Sequence, residues 1–166
     1  IWNKILLTLK KLTMPNTYGD VYIQAVFAVK KRQNLIHHSW KEELNKYILG
    51  IITRKNVKSL IVNGMPDHIH VFFSMKSNTL IADIIRDVKN NSTNFINERN
   101  FVQGKFERQS GYGFFSYSSA DVSKIYNYIL NQEKHHAKMN FREEYLGFLR
   151  DFEIEYDERY LFEFLE

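Results

Sequence analysis

Residues 57–76, "VKSLIVNGMPDHIHVFFSMK", decide how this chain folds. They read as two strands joined by the turn-forming NGMPD. In the second strand Ile69, Val71, Phe73 and Met75 form one apolar row, while His68, His70, Phe72 and Ser74 point the other way. Burying the apolar row fixes the strand. It also projects two of the chain's six histidines side by side from the opposite face, about 7 Å apart along the strand.

The flanking segments extend this pattern. "VYIQAVFAVK" (21–30) alternates, with Ile23, Ala25, Phe27 and Val29 on one face, and predicts a strand. "SWKEELNKYILGIITRKN" (39–56) predicts a helix capped by Ser39, with Leu44, Tyr47, Ile48, Ile51 and Ile52 at helical spacing. "NTLIADIIRDVKNNSTNFINER" (78–99) predicts a second helix capped at Asn78 or Thr79. "GYGFFSYS" (111–118) is a fourth strand, "SADVSKIYNYILNQEKHHAKM" (119–139) a third helix, and "FREEYLGFLRDF" (141–152) a last helical piece. The order β-α-β-β-α-β predicts an α+β, ferredoxin-like antiparallel sheet with both helices on one face and the other face open.

The 166 residues, 19.9 kDa, suit one domain with a proper core. Thirteen Phe, ten Tyr and only two Pro exclude a disordered chain. The absence of cysteine excludes disulfides and thiolate metal sites and favours a reducing compartment. No apolar run reaches the length of a membrane span. Residues 1–13, "IWNKILLTLKKLT", read as a non-native or upstream leader before Met14, which leaves 14–166 as a single catalytic domain. From Phe141 onward three basic residues (Arg142, Arg150, Arg159) face nine acidic ones, leaving 20 basic against 10 acidic before it. A basic body of this kind suits a polyanion. The acidic tail suits a fold back onto the body or onto a partner subunit.

The third helix carries two tyrosines. At 100° per residue Val122, Tyr126, Ile129 and Leu130 share one arc, with Ile125 at its edge, which assigns Tyr126 to packing. Tyr128 falls on the polar side with Lys124, Gln132 and His135, and Gln132 lies one turn above it. Taken singly these residues are ordinary: two solvated histidines on a strand, an exposed tyrosine and an exposed glutamine.

Together, "HIH" after "GMPDH", then "GYGFFSYS", then "YILNQEKHH" resemble the HUH-type single-tyrosine transposases of small bacterial insertion sequences. The likeness runs from Tyr18 to about Tyr160 and includes the trailing "EIEYDERYL". One departure is Arg108, near a position where the family often carries Trp. By this resemblance His68, His70 and Gln132 hold a divalent ion, Mg²⁺ or Mn²⁺, and Tyr128 is the nucleophile. Lys124, His135 and His136 are accessory candidates, with a solvated helix face the plainer reading of the histidine pair and a solvent lysine that of Lys124.

Three neutral ligands would leave the ion its full charge to polarise a phosphodiester. Tyrosine, about 0.1% ionised at neutral pH, would need help to attack. The resemblance implies single-stranded DNA beside hairpins as substrate, a 5′-phosphotyrosine that keeps the energy of the broken bond, and a homodimer in which one subunit's tyrosine helix could serve the other. It also implies a bacterial cytoplasmic protein, at the nucleoid when bound to DNA. Lys30, Lys31, Arg32, Arg54, Lys55, Arg86 and Lys89 are candidate backbone contacts. The rival readings are a domesticated relative acting on chromosomal repeat hairpins, a non-catalytic nucleic-acid-binding module, and a hydrolase of small phosphoesters.

Overall fold

The computed structural model describes residues 18–163. The leader assigned to residues 1–13 lies outside them. The alternating segments form four antiparallel strands: β1 (Val21–Ala28), β2 (Lys58–Met65), β3 (His68–Met75) and β4 (Gly113–Tyr117), in the order β2-β3-β1-β4. β3 is central and pairs with β2 on one side and β1 on the other. Helices α1 (His38–Arg54) and α2 (Ile81–Glu98) cover one face, as the element order predicts. Their Leu44, Ile48, Ile52, Ile84, Ile85 and Val88 meet Ile23, Ala25, Phe27, Ile69, Val71 and Phe73 in the main core.

Both helix starts differ from expectation. α1 begins at His38, where the His37 ring accepts from the Ser39 N–H at 3.2 Å, so an imidazole does the work assigned to Ser39. α2 begins at Ile81 behind Leu80 with no side-chain cap, so neither Asn78 nor Thr79 caps it.

The second face is covered, contrary to the open face expected. Helices α3 (Val122–Leu130), α4 (Gln132–His136) and α5 (Phe141–Asp151) lie against it. The reason is its own apolar content. Ile61 and Phe72 pack against Ile125 and Ile129, and Val26, Ala28 and Phe115 against Phe141, Tyr145, Leu149 and Phe162. Leaving such side chains exposed forfeits roughly 1.5–3 kcal/mol each. α5 starts at a capping box, in which Asn140 accepts from the Glu143 N–H and the Glu143 carboxylate accepts from the Asn140 N–H. The acidic tail thus folds back on the sheet of its own chain. Among the described residues no helix is long and apolar enough to cross a membrane.

Candidate metal and tyrosine site

Strand pairing fixes the two histidines. His68 stands opposite Met65 and Ala28, and His70 opposite Asn63 and Val26. Gly64 makes this pairing close, because a Cβ there would lie 2.2 Å from the His68 carbonyl oxygen. His68 Nδ1–H donates to Asp67 Oδ1 at 2.6 Å, which leaves its Nε2 as a lone pair turned inward. Asp67 is also ion-paired with Arg32, whose guanidinium lies 4.2 Å over the Phe141 ring. Burial works to raise the Asp67 carboxyl, but His68 and Arg32 outweigh it and hold the group at about 2. Burial pushes His68 down to about 4 against the pull of Asp67, so the ring is neutral at pH 7.

His70 leans on Gln24, a fully buried carboxamide whose Nε2 donates to His70 Nδ1 at 2.9 Å and whose Oε1 accepts from the Tyr117 hydroxyl at 2.8 Å. Ligation through His70 Nε2 requires a proton on Nδ1. Turning the Gln24 amide over supplies an acceptor for it, and Nε2 then donates to Tyr117.

The tyrosine helix differs from the predicted one in two ways. It is not one helix: Asn131, at φ −98° and ψ 26°, separates α3 from α4. Asn63 from β2 causes the break, since its Nδ2 donates to the carbonyls of Ile129 (2.9 Å) and Leu130 (3.2 Å). The inner arc is also rotated. Ile125 and Ile129 are buried and Tyr128 packs beside them, while Tyr126 is 40% exposed. The assignment of Tyr126 to packing is therefore corrected. The stripe follows 125, 128, 129 and 132, and the polar end of Tyr128 turns to the histidines.

After the break Gln132 is fully buried and His136 points inward. The solvated-face reading of His136 is thereby corrected, because the turn at Asn131 redirects α4. His135 Nε2 lies 3.1 Å from the Tyr128 hydroxyl. Lys124 is exposed beside Tyr128.

Glu144 of α5 completes the cluster. Its Oε2 lies 3.2 Å from His136 Nε2, 3.5 Å from His70 Nε2 and 3.7 Å from His68 Nε2. Its Oε1 accepts from Gln132 Nε2 at 3.2 Å and from the Tyr128 hydroxyl. Burial resists the Glu144 charge, but His70, His136 and His68 hold its carboxyl well below the usual range. Burial, and then Glu144, push the Tyr128 phenol well above its ordinary value, so it rests protonated. The sequence carries a signal for Glu144: it occupies the apolar stripe Phe141, Tyr145, Phe148, three residues after Phe141, where an acid has no packing role.

Would these residues hold a cation? His68 Nε2, His70 Nε2, His136 Nε2, Gln132 Oε1 and Glu144 Oε2 are all buried without a hydrogen-bond partner. One ligating atom from each of His68, His70, His136 and Glu144 lies within 4.8 Å of every other. Orphaned lone pairs gathered inside a protein are costly unless a cation or proton satisfies them. The donor set fits a metal ion. Beside the neutral His68, His70 and Gln132 expected stand two further candidates, His136 and the charged Glu144.

The basic candidates are spread along the chain from Lys30 to Lys89. Arg32 is buried on Asp67 and Phe141, which does not suit the backbone contact expected of it. Lys30 pairs with Glu107, Lys55 with Asp87, and Arg86 with Asp83 and Asp87. Lys89 donates to the carbonyls of Gln109 and Gly111. Lys31 and Arg54 are exposed.

No curated protein sequence matches the chain. Among the solved structures that share its fold are two transposase-related ones. One is a Deinococcus radiodurans R1 protein whose transposase assignment is provisional, at 19% identity and TM-score 0.58 over 72% of this chain and 96% of that one. The other is a REP-associated tyrosine transposase bound to a REP hairpin, at 14% identity and TM-score 0.53 over 75% of this chain and 74% of that one. Residues 17–132, from just before β1 to Gln132, match the family profile described as "Transposase IS200 like". That span contains the histidine strand and the tyrosine helix, and the chain belongs to the IS200-like transposase family.

Proposed function

We propose that this protein is a metal-dependent transposase that cleaves and rejoins single-stranded DNA through Tyr128. The observation that carries the reading is the gathering of three unpartnered imidazole nitrogens and the Gln132 amide oxygen around one carboxylate that also touches the Tyr128 hydroxyl. A non-catalytic binding module would have no use for them.

His68, His70, His136 and Glu144, with Gln132 beside them, would hold the ion, and Asp67 and Gln24 would orient the two strand histidines. Three imidazoles with one carboxylate suit Mn²⁺ better than oxygen-seeking Mg²⁺. A bound ion would polarise and orient the scissile phosphate. Tyr128 Oη attacks phosphorus, the bond to the 3′ oxygen breaks, and that oxygen takes a proton from solvent and leaves as a 3′ hydroxyl. The phenol proton passes to His135 Nε2 as the new bond forms, while Glu144 Oε1, the acceptor of the resting hydrogen bond, orients the phenol. The 5′-phosphotyrosine is then resolved by a 3′ hydroxyl of another strand, which needs no ATP.

A hairpin partner is supported by the solved neighbour bound to one. The Tyr128 ring lies 6.3 Å from that of His70 in the same chain, centroid to centroid, which supports a site served in cis and a homodimer that brings two DNA ends together. Chromosomal repeat hairpins are the alternative substrate for the same chemistry. A place in the bacterial cytoplasm, at the nucleoid, goes with either.

The test is incubation of labelled hairpin-bearing single strands with the protein and Mn²⁺, read on denaturing gels. A covalent adduct that is absent in Tyr128→Phe and absent with chelator supports the reading. Binding without any adduct rejects it.

A further inference from the structure

Tyr128 forms a wall common to two surface clefts of opposite chemistry. The first, about 420 Å³, is lined by Asn131, Lys134, His135, Lys138 and Met139 as well as Tyr128. It holds two lysines and no acid, which suits a phosphate backbone. The second, about 550 Å³, is walled by Tyr117, Phe148 and Phe152, with Lys124, Asn127 and Asp151 around it.

The aromatic walls of the second cleft are braced from behind. Phe148 and Phe152 pack on Phe115 at 4.8 and 5.1 Å between ring centroids, and Phe152 meets the Tyr117 ring edge-on at 5.3 Å. The Tyr117 hydroxyl is tied to Gln24. Each of the three rings nevertheless keeps part of its surface in solvent. Rigid, part-exposed rings beside polar side chains are what a flat heterocycle needs: surface to stack on and groups to pair with its edge. Phe148, Asp151 and Phe152 all lie beyond residue 132, where the family match ends.

We infer that this aromatic cleft takes one unstacked nucleobase next to the phosphate presented to Tyr128, and that Asp151 reads its edge. The inference rests on the strand-cleaving function proposed above. The lysine cleft carries the backbone on the other side of the phenol, so the strand passes over Tyr128 from one cleft to the other. Asp151 is exposed at the end of α5 and makes a 3.4 Å ion pair with Arg150 Nε. A carboxylate accepts from an exocyclic amine, so cytosine is favoured over thymine by about tenfold.

The test uses short thymidine strands carrying one 2-aminopurine, with chelator present so that no chemistry occurs. Stacking in the cleft quenches the probe's fluorescence. Quenching by the wild-type protein, lost in Phe152→Leu, supports the stack. Displacement by oligo-dC about tenfold better than by oligo-dT, lost in Asp151→Asn, supports the reading of the edge. Asp151 is exposed and Phe152→Leu keeps apolar bulk, and a thermal melt confirms that both variants fold. Quenching unchanged in Phe152→Leu, or a base preference unchanged in Asp151→Asn, overturns the inference. Because no adduct is needed, a protein that quenches but never forms one sinks the proposed function and leaves the base cleft standing. One that forms adducts without quenching does the reverse.

Discussion

Glu144 accepts a hydrogen bond from the Tyr128 hydroxyl through one oxygen while its other oxygen lies 3.2 Å from Nε2 of His136. One carboxylate therefore joins the nucleophile candidate to the imidazole cluster. Replacing it with the isosteric amide in Glu144→Gln removes the only negative charge of that cluster. Mn²⁺ affinity, measured by calorimetry, is expected to fall at least about tenfold. Equal affinity in the variant would remove Glu144 from the donor set.

Asp67 holds His68 in the tautomer that leaves Nε2 free, and Arg32 holds Asp67. Asp67→Ala removes the carboxylate that pairs with Arg32 and accepts from His68, so denaturant titration should show a loss of about 1.5–3 kcal/mol. Asp67→Asn, which keeps an oxygen to accept from His68 Nδ1–H, should recover more of the metal affinity than of the stability. Separating the two readouts distinguishes orientation of the ring from simple packing.

Gly64 faces the backbone of its neighbouring strand, where an added Cβ would meet the His68 carbonyl oxygen and Ile69 Cα. Backbone atoms cannot move aside as a flexible side chain does. Gly64→Ala is expected to lower stability by at least about 1–3 kcal/mol and to weaken Mn²⁺ binding by displacing His68. A thermal midpoint equal to wild type would show that β2 and β3 are less tightly joined than described.

Arg108 sits 4.9 Å from the Phe27 ring centroid and 5.2 Å from that of Phe106 and donates to Ser92 Oγ at 3.0 Å. Its Nε and Nη1 are shielded without partners, and burial lowers its pKa to about 9 with the group still charged at neutral pH. Arg108→Trp removes this desolvated charge and should raise stability by about 1–3 kcal/mol in thermal melts.

Nearby, burial first and Arg108 second bring Lys89 down to about 8. Below pH 8 the folded state carries the full penalty of that charge. Between about 8 and the ordinary 10.5 the amine is neutral in the folded chain and protonated in the unfolded one, so stability rises with pH. Relative to Lys89→Gln, the wild type should therefore gain stability from pH 8 to pH 10.

The histidine strand was legible because its apolar row is unbroken and one side must be buried. Two other features were not. The break at Asn131 depends on Asn63, which is remote in sequence, so nothing in residues 119–139 announces it. The covered second face depends on α5, whose apolar stripe is interrupted by Glu144, and the interruption hid both the packing of the helix and the acid's place in the site. The helix-face reading put Tyr126 in the packing, but the arc that α3 buries runs through Ile125, Tyr128 and Ile129 rather than through its most apolar residues.

The most direct measurement is peptide mapping by mass spectrometry of the product formed with a hairpin-bearing single strand and Mn²⁺. The account predicts a nucleotide phosphate on the peptide containing Tyr128, fragmenting at that residue, and none after His68→Ala with His70→Ala. A nucleotide found on Tyr126 or any other residue, or an adduct that persists without the two histidines, would contradict it.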